Sequence, residues 1–574
     1  MRIKHFFGLA VIAAMTASCS SNNDLVNGGN GSGENESGVG YATLSINLPT
    51  TSGTRAADDP EFKPGDANEY DVKDVTLLIF KEAGSSEGEY TYVEKADLGT
   101  MAPWVKDGSK GITTAATITA KLSSVDLKGN YYALVILNNK DKDNALKVKM
   151  PSPDQTYSKW NDAANAKNLV DNTNGFYMAN APEFTAANTE PTTLVKIDQI
   201  YATKQAAETN KATTIHVERG MAKVTVAPFP TTGLVPTGTK YNNDKVDITA
   251  WNLDVTNKST FPIHKTTGLN SPFTTIWSAS EEAAPSTGRF VDGTNTAFKR
   301  VYWGVDPNYD KDYTEVSDCK KEFTLLEANA AITGDAATPQ YCLENTFDIK
   351  HMLQGQTTRV VFKATYTPHG FNAGDTFYKI GNNTDLWSKT TLEEQIKAKA
   401  QEVLGKESAT NKVEVDLKAA DNNIEENAGT KILKEVNVQH NGANVAPEEI
   451  KAINEKLGLK AATETDPIVG IATYASGESY YIARIKHFGN DLTPWNEGDL
   501  TYGDNDATQN KKYLGRYGVL RNNWYELTVH SVSGPGTPDV PTIKPIDPDD
   551  ENYKYISVSV KILDWAKRSQ NVDL

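Results

Sequence analysis

Six runs of β-branched and aromatic residues, each bounded by Gly, Asn, Asp or Pro, constrain this chain more than any other feature. They are VTLLIF (75–80), YYALVIL (131–137), MAKVTV (221–226), TRVVFKATY (358–366), YYIARI (480–485) and WYELTV (524–529). Punctuated runs of this kind are strand signals. Long polar stretches separate them, which predicts packed antiparallel sheets rather than a βαβ series. The expected fold class is therefore mainly β, built as β-sandwiches. Helix signals are few. Thr391 and Glu394 have capping-box spacing, with Leu392, Ile396, Val403 and Leu404 on one face and Gly405 as a stop. Pro447 opens a second short helix with Ile450, Ile453 and Leu457 inward and Gly458 behind it. Both read as insertions on a β scaffold.

At 574 residues the chain has room for two or three domains, each with its own core. The stretch Ala227-Pro228-Phe229-Pro230 is the expected boundary, giving an N-terminal sandwich over 56–228 and a C-terminal one over 229–533. Fifty-eight Lys and Arg face 74 Asp and Glu, a net charge of −16, and no basic run is interleaved with aromatics. Nucleic-acid affinity rests on clustered Lys and Arg, so that class of partner is excluded.

The N-terminus reads as an export signal. Arg2, Lys4 and His5 precede an apolar stretch from Phe6 to Met15, then Thr16-Ala17-Ser18 lead to Cys19. The apolar stretch is too short to span a bilayer, which takes about 20 residues. Residues 1–18 are thus a signal peptide. Cys19 after small residues resembles a lipobox, where that Cys takes a covalent lipid such as palmitate; the alternative is an ordinary signal with an incidental Cys. Residues 20–40 are rich in Gly, Ser and Asn, a flexible tether. Segment 19–55 is read as lipidated tether plus propeptide strand. Cys319 and Cys342 then remain in an exported chain, as a disulfide or as two unpaired buried thiols. Neither has a partner at zinc-ligand spacing.

Both ends carry a strand with fault-free alternation. Ile556, Val558, Val560 and Ile562 alternate with Ser557, Ser559 and Lys561, and Ala42, Leu44, Ile46 and Leu48 alternate with Thr43, Ser45 and Asn47. Period-2 alternation means one face is built for burial. The C-terminal strand follows residues 534–550, a proline-rich linker read as a spacer that separates it from the body. The N-terminal strand is followed by a polar segment and the Arg55-Ala56 bond. The two strands either pair in one sheet of one molecule or compete for one groove. In the second case proteolysis after Arg55 empties the groove and a neighbour's C-terminal strand enters it, which is β-strand addition. Burying the four apolar residues at ~1.5–3 kcal/mol each is a gross gain of ~6–12 kcal/mol. Such a head-to-tail contact does not close, so it propagates.

Five segments together resemble one family. They are YCLENT (341–346), QGQTTRVV (354–361), VYWGVDPN (301–308), IKHFG (485–489) and YGVLRNNWY (517–525), the last running on into SGPGTP (533–538). In these residues the chain is similar to the fimbrillins of Bacteroidales, and within them to the shaft subunits of short, type V fimbriae. The resemblance implies two transthyretin-like β-sandwich domains, a few helical insertions and a C-terminal donor strand within 551–574. It implies a lipid on Cys19, outer-membrane anchoring of the precursor, and a cut at Arg55–Ala56 by an Arg-specific maturation protease. Polymerisation by donor-strand exchange, fimbrial tip and anchor subunits as further partners, and a cell-surface filament as the location are also implied. Residues 555–563 become the donor strand, and Trp565 a groove contact. The middle of this chain, with the 391–405 helix, is longer than the family pattern.

Enzyme signals are weak. Gly28, Gly29, Gly31 and Gly33 follow no strand and belong to the tether. His216, His264, His351, His369, His440, His487 and His530 are scattered, and His487 in KHFG reads as a structural histidine. Asp306, Asn308, Asp310 and Asp312 mimic a calcium loop without its Gly and terminal Glu, and read as a solvated turn. The expectation is a non-enzyme with no cofactor beyond the lipid at Cys19. It is either a shaft subunit supporting adhesion, or a tip or accessory adhesin or monomeric glycan-binding surface lipoprotein.

Overall fold

The computed structural model describes residues 39–49, 65–98, 104–107, 112–185, 189–269, 273, 276–277, 289–291, 299–425, 429–463, 466–493, 511–549 and 556–563. Among these the chain is mainly β, with twenty-five strands and six short-to-medium α-helices.

The N-terminal unit is one nine-stranded sheet folded over a core. Its order runs Thr91–Lys95, Val75–Lys81, Tyr131–Leu137, Met178–Asn180, Thr213–Arg219, Gly40–Pro49, Ile112–Leu122, Val105–Asp107, with Val195–Lys196 pairing off the path on Tyr131–Leu137. Leu77, Ile79, Ala133, Val135, Ile215, Val217 and the alternate residues of Gly40–Pro49 share its interior. The runs VTLLIF and YYALVIL lack alternation because both their faces are covered. Leu78, Phe80, Leu134 and Ile136 pack on the reverse side against Trp160, Tyr177 and Ile263.

The C-terminal sandwich stacks two sheets. One orders Gln340–Cys342, Ala222–Val226, Trp524–Val532 and Ile556–Leu563; the other orders Lys245–Asp254, Arg359–Thr367 and Glu478–Arg484. Val224, Leu527 and Tyr525 from the first meet Trp251, Phe362, Tyr366 and Tyr481 from the second. The strand Ala222–Val226, expected to end the N-terminal domain at 228, pairs instead with Trp524–Val532 and Gln340–Cys342. The change of sheet thus falls at Gly220 and Met221, ahead of the Pro-containing stretch. Likewise the N-terminal sheet begins at Gly40, ahead of residue 56. Proline punctuates a chain locally, whereas sheet membership depends on partners far away in sequence.

Residues 368–477, inserted between the paired strands Arg359–Thr367 and Glu478–Arg484, have a core of their own. Helix Lys389–Leu404 starts at the Ser388 cap rather than at Thr391, and Ser388 and Thr391 exchange the two capping hydrogen bonds. Gly405 ends it with φ of +92°. Leu392, Ile396 and Ala400 meet Ile450 and Ile453 of helix Pro447–Lys456 over two small sheets. The helices therefore form a folded unit rather than isolated decorations.

Cys319 and Cys342 are free and buried. Cys319 packs beside Val255, Phe323 and Ile543, whereas Cys342 lies inside the C-terminal sandwich, so of the two alternatives the pair of unpaired buried thiols holds and the possible disulfide does not form. Burial pushes the Cys319 thiol up to about 11 and the Cys342 thiol up to about 12, so both are inert at neutral pH.

Candidate assembly site

The N-terminal strand holds the place that matters most. Gly40–Pro49 runs antiparallel to Ile112–Leu122, with Ile46 opposite Ala116, and parallel to Thr213–Arg219, with Ile46 opposite Ile215. Both edges are hydrogen-bonded, so it is an interior strand. Ala42, Leu44, Ile46 and Leu48 are all at most 1% exposed. Thr43 meets Thr119 through a 2.9 Å hydroxyl contact across the same strand pair. Chain removal here would open a slot about one strand wide, lined on both edges by unpaired backbone groups.

After this strand the chain is pinned again at Glu69. Its carboxylate Oε1 accepts from Lys223 Nζ and from the Tyr341 hydroxyl, each at 2.6 Å, and its carbonyl accepts from Arg219 Nε at 2.7 Å. Lys223 Nζ also lies 3.9 Å from the centre of the Trp524 ring. Glu69, Lys223 and Arg219 are buried at the joint between the two sandwiches. Breaking such a pair from one side typically costs about 3–5 kcal/mol. The joint therefore holds residues 65–70 in place on the far side of the Arg55–Ala56 bond.

The C-terminal strand Ile556–Leu563 is the outer strand of its sheet, antiparallel to Trp524–Val532, with Val560 opposite Leu527 and Val558 opposite Val529. It is thus partnered within the molecule, and its partner lies in a different sheet from that of Gly40–Pro49. The linker before it is no free spacer. Val540 and Ile543 are buried, Thr537 and Tyr480 exchange backbone hydrogen bonds of 2.9 Å, and Asp549 is 1% exposed. Cys19, Arg55, Ala56 and Trp565 lie outside the described residues, as do the side chains of Ile556, Val558, Val560 and Ile562.

The five family-like segments converge on one knot beside the joint. His487 Nδ1 contacts the Tyr525 hydroxyl at 2.7 Å and its Nε2 contacts the Tyr302 carbonyl at 3.0 Å. Both ring nitrogens are used, which fits a structural histidine. Asn345 and Val519 exchange backbone bonds of 2.8 and 2.9 Å, and Asn345 Nδ2 donates to the Gln356 carbonyl and the Thr358 hydroxyl. Trp303 packs among Phe290, Tyr309 and Phe488. The turn expected to be solvated is buried in its first half, at Asp306 and Asn308, and exposed at Asp310 and Asp312. The Asp306 carboxylate accepts from the Thr346 and Asn308 amides at 2.6 Å and from Asn257 Nδ2 at 2.9 Å. These bonds consume it as a turn-former. Among the described residues no group of three or more His, Cys, Asp or Glu is placed to hold a metal ion, and no helix is long and apolar enough to cross a membrane.

Two buried histidines carry charge-linked stability. His264 Nδ1 lies 2.8 Å from Glu218 and its Nε2 lies 3.8 Å from Glu344. His351 sits between Asp348 at 2.6 Å and Asp312 at 3.0 Å. Burial alone would lower both imidazoles, but these carboxylates outweigh it and hold them above their ordinary value. Burial pushes His216 the other way, down to about 4. A raised histidine stabilises below the unfolded value, near 6.5, and loses that stabilisation as pH climbs through its folded value; a depressed one destabilises as pH falls from 6.5 toward 4. The histidine contribution should therefore peak near pH 6.5. Thermal melts from pH 5 to pH 9 should show the alkaline decline, and His351→Gln should flatten it; an unchanged slope would contradict the assignment.

Residues 472–571 match the family model described as major fimbrial subunit protein type IV, fimbrillin, C-terminal. The C-terminal region of the chain belongs to the fimbrillin family. The matched region includes the strands Glu478–Arg484 and Trp524–Val532, the KHFG and YGVLRNNWY segments, the docked linker and the C-terminal strand. Of the five segments in the knot, KHFG and YGVLRNNWY thus fall inside the matched region, together with the chain end. No curated protein matches. The solved structures to which the chain shows some similarity include a candidate cell adhesion protein from Parabacteroides distasonis ATCC 8503, at 10% identity and a TM-score of 0.35, covering 93% of this chain and 99% of that one. A candidate cell adhesion protein from Bacteroides eggerthii DSM 20697 has 12% identity and a TM-score of 0.31, covering 93% and 98%. A fimbrial assembly protein from Parabacteroides distasonis ATCC 8503 has 12% identity and a TM-score of 0.24, covering 58% and 86%.

Proposed function

We propose that this chain is a structural, non-catalytic shaft subunit of a surface fimbrium, exported as a lipoprotein on Cys19, cut after Arg55 and polymerised by donor-strand exchange. The observation that carries the reading is the interior position of Gly40–Pro49, whose Ala42, Leu44, Ile46 and Leu48 are fully buried between two partner strands. The Arg55–Ala56 bond follows it by six residues, and Glu69 holds the chain beyond. A cut there severs this strand from the body and from nothing else.

The energetics explain why a cut is needed. The apolar faces of residues 42–48 and 556–562 differ by about one methylene, worth roughly 0.8 kcal/mol, so neither strand wins the groove on burial alone. Before the cut the N-terminal strand competes intramolecularly, at an effective concentration in the millimolar range or above. After the cut that advantage vanishes and a dissociated strand is not replaced by itself. The neighbour's strand, tethered through a folded subunit, then holds the site. Fimbrillin membership of the C-terminal region supports the same reading.

Arg55→Ala tests it. The variant should accumulate as full-length, lipid-bearing precursor on the membrane and yield no high-mass ladders on unheated denaturing gels. Trimming at residue 56 or normal ladders in that variant would overturn the assignment.

A further inference from the structure

We propose that Asp549 is the positioning residue that fixes the root of the C-terminal arm, so that only the chain beyond it leaves the body when subunits join. This rests on the donor-strand reading above and adds to it where the moving part begins.

Residues 533–549 are seated along the C-terminal sandwich by contacts at both ends and in between. The Tyr481 and Tyr474 hydroxyls donate to the carbonyls of Gly534 and Gly536 at 3.0 and 2.8 Å, and the Gly536 amide donates to Ser479 Oγ at 2.8 Å. Arg359 Nη2 donates to the Pro541 carbonyl. The Gln354 amide donates to the Asp547 carbonyl at 2.9 Å and the Asp549 amide to the Met352 carbonyl at 3.2 Å. Gly355 permits this approach, because a Cβ there would stand 2.8 Å from Pro545 Cα. Any larger residue would push the strap away.

The end point is ionic. Asp549 Oδ1 lies 2.7 Å from Arg484 Nε, and Oδ2 accepts from the Thr357 hydroxyl. Arg484 is opposite Arg359 across the strand pair, and Arg359 is matched by Asp254 at 2.7 Å. Two adjacent buried guanidinium groups thus face two buried aspartates, one of them supplied by the strap. Withdrawing Asp549 would leave Arg484, 3% exposed, without that carboxylate. Breaking a buried ion pair from one side is strongly disfavoured, so the strap stays when the strand beyond it moves.

Only residues 550–555 separate this lock from Ile556. The seven residue steps from Asp549 to Ile556 reach at most roughly 25 Å when fully extended. The groove that accepts the strand must open within that distance of Asp549, and the lock thereby sets the spacing of subunits along the filament.

Hydrogen–deuterium exchange of the full-length chain, as monomer and as filament, tests this. Amides of 537–549 should keep the same protection in both states, while those of 556–563 change. Asp549→Asn should speed exchange of 545–549 in the monomer at least tenfold and broaden the axial repeat of filaments seen by electron microscopy. Should that variant fail to fold, Thr357→Val, which removes one contact and no charge, should speed the same amides severalfold. Rapid exchange of 545–549 in wild-type filaments, or unchanged protection in the folded variant, would overturn the proposal. Because protection is read in the monomer, its loss or retention is independent of whether donor-strand exchange occurs.

Discussion

A chain spanning residues 56–550, lacking both end strands, should lose the cooperative unfolding of its N-terminal sandwich. Without Gly40–Pro49 the strands Ile112–Leu122 and Thr213–Arg219 face each other across an empty slot. The burial of Leu44, Ile46, Leu48 and the smaller Ala42 disappears, a gross loss of ~5–10 kcal/mol, which is comparable to the whole stability of a domain. Unpaired backbone groups on both sides add to the cost. Adding a synthetic peptide of residues 40–49 should restore a single melting transition, since a ligand that binds only the folded state stabilises it. A peptide of residues 556–563 should do the same, and a scrambled peptide should not. Retention of a full, peptide-independent transition by the strandless chain would show that the slot closes by itself, and the account would fail.

The second large effect concerns the other end. A chain ending at Asp550 but otherwise intact should remain a folded monomer while Gly40–Pro49 keeps its place, and after digestion at Arg55 its high-mass ladders should be at least a hundredfold fewer than those of the full-length chain. Ile556–Leu563 lies at a sheet edge and pairs with one neighbour only, so its removal costs the sandwich far less than losing an interior strand. The melting transition of the C-terminal sandwich should therefore move by only a few degrees, in keeping with a loss of a kcal/mol or two. A loss of polymer together with global unfolding would mean that the strand is a structural element of its own subunit, not a donor. Removal also uncovers the edge of Trp524–Val532, so the truncated monomer should show some tendency toward edge-to-edge association at high concentration.

The residues that were readable in sequence and those that were not differ in the range of the forces involved. The alternation in 42–48 and 556–562 is local, and both segments are strands. The near-continuous runs 75–80 and 131–137 could be recognised as strands but not as strands buried on two faces, because Trp160 comes from the short helix Tyr157–Trp160 and Ile263 from a remote loop. Which strand pairs with which was not readable at all. Alternating strands are interchangeable at the level of pattern, so Ile556–Leu563 could be given no partner until Trp524–Val532 was placed beside it. The linker was misread for a similar reason. Five prolines speak for extension, but the Asp549–Arg484 pair that docks it joins residues 65 positions apart and leaves no local trace. Asp306 has the same history: its acidic spacing suggests solvent, yet Asn257 and Thr346 bring it inside. His487 fared better, since a KHFG segment between apolar residues already points inward.

The cleavage and the polymer together form the central claim, and electron microscopy of purified protein before and after digestion at Arg55, with N-terminal sequencing of the same sample, tests it most directly. Filaments should be absent before digestion and abundant after it, in material whose N-terminus is Ala56. Protein that begins at Ala56 and stays monomeric, or filaments made of uncut chains, would contradict the account.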